Sequence, residues 1–199
     1  MTTPAAELYF GGSFDPIHMG HLFAAQEAAD AVGAQRVLFV PTGRNPLKPD
    51  NHSAAPEHRL AMVRRAIEGN SRFLVHDIEL EEKGASYTER TVRALVDRGT
   101  LVPRPGLIIG DDLVAELHRW RNVDALMAMV RLVLVTRHGV DLSALPVSAA
   151  QDVVVVRNPE IPVSSSAVRD RLREGRSVRY LVPEHVYEYI REHRLYQHD

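Results

Sequence analysis

Cysteine is absent from the 199-residue chain. Without thiols the protein can form neither disulfides nor thiolate metal sites, and it has no cysteine nucleophile. Long apolar runs are missing too, because no stretch approaches the roughly eighteen consecutive apolar residues of a membrane span. The N-terminal residues also lack the basic and apolar regions of a secretory signal. We therefore expect a cytoplasmic protein with no membrane partner.

Charge of one sign is not in excess. The 24 basic and 26 acidic residues give a formal net charge of -2, which is too weak to attract nucleic acid. Two common phosphate-binding patterns are also lacking, since the chain contains neither G-x-x-x-x-G-K-[ST] nor G-x-G-x-x-G. A P-loop and a dinucleotide-binding fingerprint are thus excluded. We expect small-molecule partners and no nucleic acid.

Short apolar runs alternate with longer segments of helical period along the chain. This alternation is typical of the α/β class, in which an open parallel sheet carries helices on both faces. The length favours a single domain over residues 1–199. The predicted strands are 8–12, 36–41, 72–80, 106–111, 131–137 and 152–158. The predicted helices are 21–33, 56–70 and 88–99, with Gly33 as a C-cap and Tyr87 or Thr88 as an N-cap.

The segment GGSFDPIHMGH, residues 11–21, directly follows the first predicted strand. In open parallel sheets, ligands bind beyond the carboxyl ends of the strands, so this segment is in the right position for a site. Gly11 and Gly12 predict a sharp turn with exposed backbone N–H groups. Asp15 and Pro16 resemble the cap and first residue of a helix.

Two histidines in this segment, His18 and His21, are expected on one helical face that Gly20 keeps open. A polyphosphate bound there would meet backbone donors, the positive end of a helix and two imidazoles. Two other interpretations remain at this point. The histidines could lie solvated on a packed turn, or they could bind zinc, although the missing third ligand makes a poor zinc site.

A second segment, VSSSAVRDRL at 163–172, places three serines before a helix that Gly175 ends. Hydroxyls and free backbone N–H groups at a helix start can hold an anion. Arg169 lies about one turn into this helix, where its guanidinium fork can hold the outer phosphates of a triphosphate better than a lysine. Ordinary capping by the serines and a surface ion pair for Arg169 are the alternatives.

The two segments, in this order, resemble the two signatures of the HxGH nucleotidylyltransferases. Within that superfamily the chain resembles the nicotinate-nucleotide adenylyltransferase family, and the resemblance spans nearly the whole chain. It implies a Rossmann-like fold. The other segments that carry it are NPLK at 45–48, SYTERTVRAL at 86–95, IIGDDLVAELHRWRN at 108–122 and YLVPEHVYEYIREHRLY at 180–196. Three residues depart from the family pattern: Leu47 replaces a frequent histidine, Arg121 a common tyrosine, and Ser166 a frequent threonine.

The resemblance implies transfer of the adenylyl group of ATP to nicotinate mononucleotide, giving nicotinate adenine dinucleotide and pyrophosphate in NAD biosynthesis. Since the nucleophile is already an anionic phosphate, catalysis should consist mostly of positioning and charge stabilisation. Mg²⁺ is expected, carried by the ATP phosphates and not by a protein cage. The pattern is compatible with a homo-oligomer.

Two alternatives from different classes stay open. One is another HxGH transferase that uses nicotinamide mononucleotide, phosphopantetheine or a cytidylyl donor. The other is a nucleotide-binding sensor that binds ATP without turnover.

The resemblance also implies a role for individual residues. Asp112 would accept hydrogen bonds from ribose hydroxyls, and Trp120 would stack on the pyridine ring. The implied catalytic residues are His18, His21, Lys48 and Arg169. The implied ATP-binding residues are Gly11, Gly12, Ser13, Phe14, His18, Gly20, His21, Gly110, Asp112, Val163, Ser164, Ser165 and Arg169. The implied nicotinate mononucleotide-binding residues are Ser13, Lys48, Tyr87, Thr88 and Trp120.

Overall fold

Strands and helices alternate along the part of the chain that the structure, a computed structural model, describes: residues 7–44, 54–81, 84–137, 139, 141–150 and 152–197. The strands are β1 (Glu7–Gly12), β2 (Arg36–Pro41), β3 (Phe73–Val75), β4 (Gly106–Gly110), β5 (Arg131–Thr136) and β6 (Val153–Arg157). The α-helices are α1 (Met19–Val32), α2 (Pro56–Ala66), α3 (Ile78–Glu81), α4 (Thr88–Asp97), α5 (Val123–Met129), α6 (Val147–Ala150), α7 (Ser165–Arg173) and α8 (Glu184–Glu192). Two 3-10 helices span Asp111–Arg119 and Leu142–Ala144.

The described strands form one parallel sheet in the order β3-β2-β1-β4-β5-β6. This order confirms the predicted Rossmann-like α/β fold. The order reverses between β1 and β4, since the chain winds outward from β1 to β3 and then crosses back to β4. A crevice opens at such a reversal, beyond the carboxyl ends of the two central strands.

Hydrophobic cores lie on both faces of the sheet because side chains alternate between faces along each strand. Leu8 and Phe10 of β1 belong to one core, which the apolar faces of α1, α2, α7 and α8 cover. Tyr9, between them, belongs to the other core, which α4, α5 and the 3-10 helix Asp111–Arg119 cover. The prediction of helices on both faces is confirmed.

The predicted third strand, 72–80, is wrong beyond Val75. The backbone N–H of His76 still donates to Phe39 of β2, but its side-chain Nδ1 accepts the N–H of Ile78 at 3.1 Å. The N–H groups of Leu80 and Glu81 then donate to the carbonyl of Asp77, which closes the short helix α3. Local hydrogen bonds therefore override an apolar pattern that suggested a longer strand.

The first helix begins later than the Asp15-Pro16 pair predicts. Its N-cap is His18 and its first residue is Met19, so Asp15 and Pro16 lie in the preceding turn and not at the helix start. The other end is as predicted, because Gly33 takes a left-handed conformation with φ 64° and caps the helix.

The remaining predicted helix boundaries agree with the structure to within a few residues. The helix predicted at 56–70 ends at Ala66, and the helix predicted at 88–99 begins at Thr88 with Tyr87 as its N-cap. Within the described ranges, no helix is long and apolar enough to cross a membrane. That residues 1–199 form one domain stays a prediction.

Candidate active site

The glycines at the end of β1 have a different role from the one predicted. Gly11 and Gly12 do not form a turn, because they continue the strand and pair with Val40 and Pro41 of β2. A Cβ at Gly11 would lie 2.7 Å from the Tyr9 hydroxyl, and one at Gly12 would lie 3.0 Å from the Phe14 ring. A side chain at either position would crowd a neighbouring aromatic side chain, more severely at Gly11, which favours glycine.

The turn itself comes at Phe14, which has a φ of 48°. This left-handed conformation is uncommon for a non-glycine residue and requires support from its surroundings. The buried Phe14 ring packs against Phe10 and Phe39, and its centroid lies 5.1 Å from that of His21. Aromatic packing therefore holds the turn that leads from the strand to the two histidines.

His18 and His21 lie together at the start of α1. Their rings stack with centroids 3.7 Å apart. The backbone N–H of His18 donates to Nδ1 of His21 at 3.2 Å, so a neutral His21 carries its proton on Nε2. His18 is buried and His21 is half-buried, so the two histidines are not fully solvated.

Both imidazoles are neutral at pH 7. Burial lowers the pKa of His18 to about 4. Burial, and then the neighbouring His18, lower the pKa of His21 well below its usual value. The pair therefore offers hydrogen-bond donors and not fixed positive charges.

Gly20 brings the two signature segments into contact. A Cβ at this position would lie 3.1 Å from Nδ1 and Cε1 of His18 and 3.3 Å from Cγ1 of Val163. The missing side chain thus leaves room for the His18 ring and for the residue that begins the second signature.

The second signature docks on the turn before α1. The Ser165 hydroxyl donates to the Pro16 carbonyl at 2.9 Å, and Arg169 donates through Nη1 to the Asp15 carbonyl at 2.6 Å. Ser164 caps α7, since its Oγ accepts from the N–H of Ala167 at 3.2 Å. Docking therefore uses the Ser165 O–H as a donor, while the Ser164 hydroxyl only accepts and can still donate, as can the first-turn backbone N–H groups.

Two buried nitrogen atoms at this junction lack hydrogen-bond partners among the described residues: Nδ1 of His18 and Nε of Arg169. Buried polar atoms are nearly always paired, so such orphans call for an explanation. A phosphate group near the start of α1 and α7 could supply acceptor oxygens to both signatures.

The two aspartates that follow β4 have different environments. Asp111 accepts from the Thr136 hydroxyl at 2.9 Å and from the backbone N–H of Arg137 at 3.2 Å, which ties it to β5. Asp112 is exposed, and a Cβ on Gly110 would lie 2.5 Å from its Oδ1. Asp112 is thus available to a ligand, and Gly110 gives its carboxylate room.

A cavity of about 360 Å³ opens beside the carboxyl ends of β1 and β4. It brings together Gly11, Gly12, Ser13, Tyr87, Thr88 and Trp120 of the predicted site residues. Other predicted site residues lie outside its lining: Phe14, His18, Gly20, His21, Gly110, Asp112, Val163, Ser164, Ser165 and Arg169. The structure therefore separates a cavity from an adjoining junction of the two signature segments, and Gly11 to Ser13 lead from one to the other. Lys48 and Leu47 fall outside the described residues.

One wall of the cavity contains a buried carboxylate that sequence analysis missed. Glu79 accepts from the Thr91 hydroxyl at 2.7 Å, from the Tyr9 hydroxyl at 3.3 Å and from the Gly43 N–H at 3.3 Å. Burial raises its pKa. These bonds connect α4 with β1 and with the residues after β2, so Glu79 joins elements that line the cavity. The misassigned third strand concealed this role.

The cavity lining carries charges of both signs, from Glu79, Glu116, Arg119 and Arg121. Arg121 lines the cavity and lies 4.6 Å from the centroid of the Tyr87 ring. Glu89, at the start of α4, accepts from Arg93 at 2.9 Å and lies outside the cavity lining. The helix start beside Thr88 is thus flanked by a guanidinium, while the nearby carboxylate is paired elsewhere.

The parallel sheet of this order, with paired histidines and a serine-capped helix beside them, has the plan of an α/β nucleotide-binding protein. The Cytidylyltransferase-like family model matches residues 9–171. A probable nicotinate-nucleotide adenylyltransferase of Roseiflexus sp. (strain RS-1) is 41% identical over 94% of this chain and 96% of its own. One from Halalkalibacterium halodurans is 43% identical over 94% of this chain and 89% of its own. The chain belongs to the cytidylyltransferase-like family and, within it, to the nicotinate-nucleotide adenylyltransferases.

A solved structure agrees with this fold. The nicotinic acid mononucleotide adenylyltransferase of Plasmodium falciparum, in a complex with NaAD, superposes with a TM-score of 0.78 over 96% of each chain. Its sequence identity to this chain is 18%, so the likeness bears on the fold alone.

Proposed function

We propose that the protein transfers the adenylyl group of ATP to the 5′-phosphate of nicotinate mononucleotide, producing nicotinate adenine dinucleotide and pyrophosphate. The observation that carries this proposal is the shared position of two subsites. The cavity between Tyr87 and Trp120 and the junction of His18, His21 and Arg169 both adjoin the last residues of β1. A mononucleotide in the cavity would direct its phosphate toward that junction.

The ATP phosphates are proposed to lie where α1 and α7 begin. There Nε2 of His21 can donate a hydrogen bond, and the Arg169 guanidinium adds a charged donor through Nη2, which donates to Ser166 at 3.2 Å. These groups are fixed before the substrate arrives, which is the condition for effective stabilisation of developing negative charge. Val163, Ser164 and Ser165 would contribute backbone donors, and Asp112 would hold the ribose.

The mononucleotide is proposed to bind in the cavity. Trp120 supplies an aromatic surface for the pyridine ring, and the first turn of α4 supplies backbone N–H groups and the Thr88 hydroxyl for its carboxylate. Ser13 would contact the phosphate end, and Lys48 stays a predicted partner of the phosphates.

Mg²⁺ is proposed to arrive with ATP, held by phosphate oxygens and water. The metal would neutralise phosphate charge, and the protein would position the reacting groups.

Pyrophosphate release tests the proposed function. The purified protein is supplied with ATP and Mg²⁺ together with nicotinate mononucleotide, nicotinamide mononucleotide or phosphopantetheine, and a sample without acceptor serves as the control. We expect the fastest release with nicotinate mononucleotide. Faster release with another acceptor would assign a different transferase, and ATP binding without release from any mixture would indicate a sensor.

Arg169→Lys should impair the enzyme although the charge is kept. Lysine cannot donate to the Asp15 carbonyl and still present a second nitrogen to phosphate, as the planar guanidinium can. Loss of one hydrogen bond to a charged group, about 1.5–3 kcal/mol, predicts a decrease in kcat/KM for ATP of roughly 10- to 100-fold. Steady-state kinetics with ATP as the varied substrate measure this.

Arg171→Lys is the matched control for that prediction. Arg171 lies on the same helix and donates to a backbone carbonyl, that of Ser177, through Nε and Nη2. It does not contact the turn before α1, and its replacement should leave kcat/KM within about threefold. Unchanged kinetics in Arg169→Lys would remove Arg169 from the phosphate site.

A further inference from the structure

Asp15 connects three distant parts of the chain. Its side chain is buried, and Oδ1 accepts from the Tyr196 hydroxyl at 2.8 Å and from the Ala54 N–H at 3.2 Å. Its backbone carbonyl accepts from Arg169 at 2.6 Å. One residue of the turn between β1 and α1 thus joins the start of α2, the helix α7 and the C-terminal segment.

A second buried group holds the same turn. Arg59 of α2 is fully buried and donates through Nη1 to the Ser13 carbonyl at 2.8 Å. Its positive charge also lies close enough to Asp15 to interact with that carboxylate. The turn that precedes His18 is therefore held at Ser13 and at Asp15 by side chains from other elements.

Tyr196 reaches Asp15 from beyond the end of α8. It is 7% exposed and has a φ of 64°, a conformation that requires support in a residue other than glycine. Burial, and then the Asp15 carboxylate, raise the pKa of its hydroxyl far above the usual value, so the hydroxyl stays protonated and donates. The ring belongs to the core on the α1 side of the sheet.

We propose that Tyr196 is a positioning residue of the ATP site, acting through its hydroxyl bond to Asp15. The bond fixes the Asp15 carboxylate. The backbone carbonyl of the same residue accepts from Arg169, and the chain continues from this turn to His18. Without it, a buried carboxylate loses a donor, and the turn can shift to regain one. The position of the Arg169 guanidinium relative to the two imidazoles would then change. This role rests on the proposed function.

The test is Tyr196→Phe in the full-length protein, since phenylalanine keeps the ring in the core and removes the hydroxyl. We expect kcat/KM for ATP to fall roughly 10- to 100-fold, the effect of losing a hydrogen bond to a charged group. The KM for nicotinate mononucleotide should change less than about threefold, because Arg59 still holds the Ser13 carbonyl and Asp15 itself lies outside the lining of the mononucleotide cavity. This split between substrates is the readout that packing alone would not produce.

Tyr189→Phe provides the matched control. Tyr189 has the same 7% exposure, and its hydroxyl lies 2.9 Å from Nδ1 of His58. It belongs to α8, where its ring and hydroxyl contact His58, His193 and Arg65. Its replacement should leave both substrates' kinetics within about threefold. Equal losses in the two tyrosine variants would overturn the proposal, as would wild-type kinetics in Tyr196→Phe.

Arg169→Ala supplies a second, independent measurement. If Tyr196 acts through the Asp15 turn, the loss from Tyr196→Phe should shrink to a few-fold in the Arg169→Ala background, since the group to be positioned is gone. Fully multiplicative losses would contradict the proposal. Failure of Tyr196→Phe to fold would contradict it equally, because the hydroxyl would then support the whole fold and not this site.

Binding of a non-hydrolysable ATP analogue separates this proposal from the proposed function. If the wild-type protein transfers no adenylyl group to any acceptor, the proposed function fails. Calorimetry should nevertheless show weaker analogue binding by Tyr196→Phe than by Tyr189→Phe. Equal affinities of these two variants would overturn the positioning role by itself.

Discussion

Replacing His21 with alanine should lower kcat roughly 10²- to 10³-fold, the usual effect of removing one preorganised donor from a site of developing charge. The structure gives the physical reason: Nδ1 accepts the N–H of His18, which leaves Nε2–H as the donor toward a phosphoryl group. A donor aimed at the transition state affects turnover more than ground-state binding. Affinity for an ATP analogue should therefore change much less than kcat.

Two amide replacements test the roles of the two His21 ring nitrogens separately. His21→Asn places an oxygen near the Nδ1 position, so it can keep the bond from His18, but it has no donor near Nε2. His21→Gln places an amide near Nε2. We expect Asn to lose as much turnover as Ala while melting near the wild-type temperature, and Gln to recover part of the turnover. Wild-type turnover in the Asn variant would remove His21 from catalysis.

An exposed histidine controls for general effects of the substitution. His185 of α8 lies 3.4 Å from Glu188 on the surface and contacts neither signature segment. Its replacement by alanine should leave kcat unchanged within about twofold. A similar loss in this variant would show that the His21 effect is not specific to the site.

The sheet could be predicted from sequence because strands buried on both faces leave continuous apolar runs. β5 follows this rule, and its predicted range of 131–137 exceeds the strand by one residue. β6 has an equally apolar sequence and its predicted bounds agree to within one residue at each end, although it is the edge strand and Val155 is exposed. The stretch after β3 does not follow the rule, since Ile78 supplies an apolar side chain from a short helix. The side chain of His76 and the carbonyl of Asp77 determine that local conformation, and apolar periodicity does not report such hydrogen bonds.

The supporting groups of the site could not be predicted in the same way. Tyr196 and Asp15 lie 181 positions apart in the sequence, and they meet where α8, packed against α2, leads into the C-terminal segment. Arg59 lies in a helix with an ordinary amphipathic pattern, yet it is fully buried. Motifs identify groups that are close in sequence, whereas positioning residues come from elements brought together by folding.

The residues that line the cavity bear directly on the preference between the two pyridine mononucleotides. We expect kcat/KM to favour nicotinate over nicotinamide mononucleotide by roughly 10- to 1,000-fold. The start of a helix offers an anion about 0.3–2 kcal/mol, and a hydrogen bond to a charged group adds about 1.5–3 kcal/mol. Glu89, which would oppose a carboxylate, is bonded to Arg93, while Arg121 lines the cavity. Equal values, or a preference for the amide, would contradict this.

Four variants should assign that preference to its sources. Thr88→Ala should lower the ratio of kcat/KM for nicotinate mononucleotide to kcat/KM for nicotinamide mononucleotide only partly, because the backbone N–H groups of α4 remain. A proline at Glu89 is tolerated in a first helical turn but removes one of those donors, so it should narrow the ratio further. Glu89→Ala controls for the lost contact with Arg93 and should not narrow it. Arg121→Gln should lower this ratio if the guanidinium attracts the ring carboxylate. If all four variants keep the wild-type ratio, the carboxylate is recognised outside the start of α4.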